Sequence, residues 1–107
     1  MSTEQPTEKE LLKTVLEPLL EDFQYWFGRS QTLLESSQMP FFTVREQADL
    51  LARIVRAQQE VQTAKMLFEA TDGLAGIDSK MLIPWHQLVA ECWNVARKLR
   101  EDKQSPT

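Results

Sequence analysis

The chain has 107 residues, 42% of them hydrophobic and 26% charged, which gives one domain with room for a single core and excludes a second one. With 12 basic against 16 acidic side chains, the formal net charge is −4, the wrong sign for a nucleic-acid binder. Cysteine occurs once, as Cys92, so no internal disulfide can form, which fits a reducing compartment.

The only basic cluster, Arg97, Lys98 and Arg100, reads as cations favoured at the negative end of a helix dipole. The polar residues from Met1 to Lys9 hold no apolar leader core, and no apolar run is long enough for a membrane span. A soluble, cytoplasmic protein is therefore expected. Three glycines leave few turns, and Leu, Glu, Gln, Ala and Arg favour helix.

The pattern predicts domain boundaries at 7–101, with polar tails over 1–6 and 102–107. Thr7 and Glu10 have capping-box spacing. A first helix follows, with Leu12, Leu16, Leu19, Phe23, Trp26 and Leu33 on one stripe. Leu11, Val15, Leu20, Phe27 and Leu34 widen it. The stripe crosses Pro18, which removes a backbone bond to Thr14 and predicts a bend. Gly28 lies in the helix interior and calls for a reason, first among them the close approach of another helix.

Residues 36–40 break the period and read as a loop. Thr43 and Glu46 repeat the capping box, and a second helix carries Gln47, Leu51, Ile54, Ala57, Val61, Ala64 and Phe68 on one face. Its other face holds Arg45, Asp49, Arg53, Arg56 and Glu60, spaced four apart as weak solvated pairs. Asp72-Gly73 ends it, with Gly73 as the left-handed cap. Pro84 suits the first turn of a third helix, whose apolar face is Trp85, Leu88, Val89, Cys92, Trp93, Ala96 and Leu99. The sum is an all-α, antiparallel three-helix bundle in up-down-up order.

Little in this pattern supports chemistry. His86 is the only histidine, and Ile83 stands where a di-iron Glu-x-x-His motif needs glutamate. Gly28, Gly73 and Gly76 are too scattered for a phosphate loop. Cys92 reads as a core thiol. No enzyme, no metal and no cofactor are expected. The aromatic and apolar surplus points instead to a protein partner, with Tyr25, Met39, Phe41, Phe42, Trp85 and Trp93 as candidate contacts. The alternative is a small-molecule or tetrapyrrole site using His86 as an axial ligand beside Trp85. Self-association into a homodimer is a further expectation, since Ala48, Ala52, Ala57, Ala64 and Ala70 would let helices approach.

The strings from Leu11 to Phe27, Glu46 to Gly73, Gly76 to Asp78 and, most specifically, PWHQLVAECW from Pro84 to Trp93 resemble a small cyanobacterial protein family of unknown function. No site residue comes with that resemblance. What it implies is a cyanobacterial protein and, by association, a factor serving the photosynthetic apparatus in assembly or regulation.

Overall fold

The computed structural model describes residues 7–73 and 77–104. The stretches 1–6 and 105–107, read as tails, and part of the second connection, 74–76, lie outside the described residues. Three helices follow in order, α1 over Glu8–Ser36, α2 over Val44–Ala70 and α3 over Ser79–Gln104. This is the three-helix bundle that the periodicity predicts, with α1 packed against both other helices. Pairings along the chain give the directions. Lys13 near the start of α1 meets Asp72 beyond the end of α2. Phe23 meets Trp85, and three turns on Phe41 meets Lys98. Thus α2 runs against α1, and α3 runs along it.

Each helix start has a polar reason. The Thr7 hydroxyl accepts the Glu10 amide at 3.1 Å, although Glu10 makes no return bond among those described. At α2 the box is complete, with the Glu46 amide on the Thr43 hydroxyl at 3.0 Å and the Thr43 amide on Glu46 Oε1 at 2.8 Å. The Asp78 carboxylate accepts the Lys80 amide at 2.9 Å and so starts α3 five residues before Pro84. The sequence reading put Pro84 in the first turn; it lies instead inside α3, where its ring leaves the Lys80 carbonyl without a helical donor. At the other end α3 runs to Gln104, three residues past the predicted domain boundary at 101.

The α2 terminus also differs in detail. Gly73 is not the residue at the first left-handed position. Asp72 takes it with φ 52°, and Gly73 follows with φ 84°. The Asp72 amide bonds the Glu69 carbonyl at 3.1 Å and the Gly73 amide bonds Phe68 at 2.7 Å, the paired bonds of a Schellman motif. Asp tolerates the left-handed region better than most side chains.

The core lies where α1 faces the cleft between α2 and α3. It contains Leu20, Phe23, Phe27 and Leu34 from α1, Leu50, Ile54, Ala57 and Val61 from α2, and Trp85, Leu88, Val89, Cys92 and Val95 from α3. The α1 stripe is therefore rotated from the sequence reading. Leu20, Phe27 and Leu34, taken as its margin, form its centre, whereas Trp26 and Leu33 are only half-buried and Leu12 is exposed. A helix with two neighbours buries most deeply the residues that point between them. In the same way Leu50 replaces Leu51 at the centre of α2, and Val95 joins α3.

Two polar arrangements hold the ends in register. Gln47 is the one buried polar residue among those described. Its Nε2 donates to the carbonyls of Leu34 and Ser37 at 2.8 Å each, and its Oε1 accepts the Met39 amide at 2.7 Å. One side chain thus satisfies the orphan carbonyls at the end of α1 and fixes the loop to α2. Between α2 and α3, Arg53 makes a bidentate pair with Glu91, two bonds of 2.8 Å. The three expected pairs within α2 do not close to ion-pair distance among the described residues. Arg53 reaches across to α3 instead, and Glu60 accepts the Trp85 indole N–H at 3.2 Å.

Candidate functional site

The six contact candidates divide into two sets. Met39 and Trp85 are buried, at 1% and 2% exposure, and belong to the core, so they are not available to a partner. Met39 is drawn inward by the Gln47 bracket on its amide. Trp85 is carried inward because α3 starts early. It packs edge-on against Phe23 at 5.6 Å, at the middle of α1. Phe41 and Phe42 are half-buried, stacked edge-to-face at 5.0 Å, with Lys98 Nζ 5.7 Å from the Phe41 ring. They close the end of the bundle, as plugs do.

Tyr25 and Trp93 are the two that reach the surface, at 55% and 49% exposure. The structure joins them through Trp26. Tyr25 meets Trp26 edge-to-face at 5.1 Å, and Trp26 meets Trp93 edge-to-face at 5.8 Å. Three aromatic rings from two helices thus form one continuous ladder. Trp26, which its spacing places on the apolar stripe of α1, is the half-buried middle rung. Trp93 follows Cys92, and the helix turns about 100° between neighbours, so burying Cys92 swings Trp93 to the rim.

Beside the ladder lies a groove of about 390 Å³ between α1 and α3. Its lining is mostly apolar, with Trp26, Leu33, Trp93, Ala96, Leu99 and the buried Cys92, and Ser30 as a polar member. Arg29 and Arg100 stand on its two rims. Arg29 donates to the Tyr25 hydroxyl at 2.9 Å, which holds the phenol at the edge. Neither arginine has a carboxylate within ion-pair distance among the described residues. The groove opens on the side away from α2, since α2 packs on the opposite flank of α1.

Burial pushes the Cys92 thiol above its ordinary pKa, the direction opposite to a reactive nucleophile. His86 is exposed and touches the Phe23 ring edge-on at 5.5 Å. Neither His86 nor Trp85 lines the α1–α3 groove, nor a groove of about 400 Å³ between α2 and the start of α3. Among the described residues no group of three or more His, Cys, Asp or Glu side chains could hold a metal ion, and no helix is long and apolar enough to cross a membrane.

A second apolar surface was missed in the sequence. Leu11, Leu12 and Val15 at the start of α1, with Met66 and Leu67 on α2 and Met81 and Ile83 on α3, are all exposed at one end of the bundle. The signal was present, since the stripe of α1 begins four turns before Trp26. The spacing marks one apolar face but does not show where along α1 the neighbouring helices stop covering it.

With this geometry in hand, the comparison with known families is informative. A family model described as "Protein of unknown function (DUF2605)" matches residues 6–101. The chain belongs to this family. The match takes in all of α1 and α2 and nearly all of α3, so the groove and both its arginines fall within the family domain. No curated protein and no solved structure matches the chain.

Proposed function

We propose that this chain is a non-enzymatic protein-binding module that docks its partner on the groove between α1 and α3. The observation that carries this reading is Trp93. Half of a large indole is held in water at the end of a three-ring ladder, beside an apolar groove. Exposing that area has a cost in the free protein that only an occupant recovers. Tryptophan, tyrosine and arginine are also the side chains that most often dominate binding energy at interfaces, and all three meet here.

The setting we attach to this role is the cytoplasm of a cyanobacterium, in assembly or regulation near the photosynthetic apparatus. Its support is the sequence resemblance. The tetrapyrrole alternative at His86 gains nothing from the geometry, because the histidine lines neither of these two grooves and its neighbour Trp85 is sealed in the core.

The test is position-specific photo-crosslinking in the source cells. A photoreactive residue at position 93 should capture a discrete partner, while one at Ala52, exposed on α2, should not. Equal capture at both positions, or none at 93, would sink the proposal.

A further inference from the structure

The rims of the groove say what kind of partner fits. Resting on the docking reading above, we infer that the occupant is an acidic amphipathic helix, whose apolar ridge enters beside Trp93 and whose carboxylates pair with Arg29 and Arg100. The argument begins from charge. The chain as a whole carries a net charge of −4, and most of its surface should repel an acidic segment. The groove's lining holds two cations and no carboxylate. Arg29 stands on one rim and Arg100 on the other, both without a carboxylate partner among the described residues. Arg97, one turn beyond Trp93 on α3, is a third cation nearby, bonded to the Asn94 side-chain oxygen and 4.0 Å from Glu101. Some other cations are already paired. Arg53 is held by Glu91 and Lys13 by Asp72. A guanidinium left unpaired at the lip of an apolar groove presents a planar fork of donors matched to a carboxylate.

Shape gives the second half. The lining residues Trp26, Leu33, Trp93 and Arg100 span two helical turns on α1 and α3, about 10 Å along the axis. The groove is flanked by two helices running the same way, with Ala96 small in its floor. A third ridge of side chains spaced three and four apart lies naturally between them, as in helix-in-groove recognition. Arginine on both rims asks for acidic residues on both flanks of that ridge.

The probe is a fluorescein-labelled peptide of about five helical turns, with Leu at i, i+4, i+7 and i+11 and Glu on the flanking positions. Its counterpart carries Lys at every Glu. Anisotropy titrations at low salt with the full chain should show the Glu peptide binding at least about tenfold tighter than the Lys peptide. The preference should shrink as salt screens the rims. The double variant Arg29→Glu with Arg100→Glu, checked for unchanged helicity and melting, should invert it. Equal binding of both peptides, or a preference that survives the double variant, overturns the acidic-helix assignment. So does groove-dependent binding to anionic phosphatidylglycerol vesicles with no peptide preference, or a stable dimer abolished by Trp93→Asp, which makes a second copy the occupant. Failure of the peptide alongside specific crosslinking at position 93 refutes the acidic-helix inference and leaves the docking reading standing. Absence of crosslinking at 93 refutes the docking reading itself.

Discussion

Gln47 offers the sharpest test of how the fold is held. Replacing it with Leu keeps the volume and removes three hydrogen bonds at once. The Ser37 carbonyl lies at an exposed residue and finds water. The Met39 amide and the Leu34 carbonyl belong to residues at 1% and 5% exposure and stay dry. Each stranded group costs about 1–3 kcal/mol, so the substitution should destabilise the fold by about 2–6 kcal/mol, less whatever a trapped water recovers. Glu at the same position should be worse than Leu at neutral pH. Its carboxylate would place a second oxygen against the Leu34 and Ser37 carbonyls where an amide now donates. Urea denaturation followed by circular dichroism measures both variants. A Gln47→Leu protein within about half a kcal/mol of the parent would show that the bracket contributes nothing and that the buried bonds are replaced at no cost.

Phe23→Ala, which empties a site touching Phe27, Trp85 and His86, should cost about 3–5 kcal/mol, and Trp26→Ala clearly less because its ring is already half in water; denaturation of the pair checks the order. Gly28→Ala should stabilise by up to about 1 kcal/mol, since a new Cβ meets only the Gln58 amide at 3.6 Å while the helix gains propensity; a fall in melting temperature would contradict this. A double-mutant cycle on Arg53 and Glu91 should give a coupling of about 0.5–1 kcal/mol at neutral pH, as both side chains are about half exposed. Arg53 holds the Glu91 carboxyl below its ordinary pKa, so that stabilisation is present above the unfolded-state value and is lost as pH falls through the lower folded-state one; a coupling that grew on acidification would refute the assignment. The native Cys92 thiol, buried and shifted upward, should react with a thiol reagent far more slowly than in denaturant.

Much of the fold was legible because helices announce themselves by period and by caps. Thr43 with Glu46, the α2 face from Gln47 to Phe68 and the change of direction at Asp72 are all local signals. What a single helix could not show was which flank of α1 each neighbour would take. Leu20 and Phe27 rather than Leu12 and Trp26 became central for that reason. The same gap hid the site. Trp93 at the rim follows from Cys92 being buried, since adjacent helix positions cannot both point into the core. That Tyr25, Trp26 and Trp93 would meet needs the register of α3 on α1, which depends on Asp78 capping α3 five residues earlier than Pro84 suggests. Long-range polar pairs such as Arg53 with Glu91 leave no mark in the spacing of either helix, so Arg53 read as a solvated face. Gln47 was placed on the apolar face of α2, but its role depends on where the α1 carbonyls arrive.

The exposed apolar residues allow one direct comparison. Trp93→Asp places a carboxylate in the groove, Leu67→Asp marks the apolar end of the bundle, and Val44→Asp marks a lone exposed valine at the start of α2, 75% exposed. All three sites are on the surface, so all three variants should keep the parent melting temperature within a few degrees. The partner captured through position 93 is then quantified by co-purification with each tagged variant. If the groove is the docking surface, Trp93→Asp should reduce recovery by at least about tenfold while the other two leave it near the parent level. Recovery lost with Leu67→Asp and kept with Trp93→Asp would place the partner at the other end of the bundle and contradict the account.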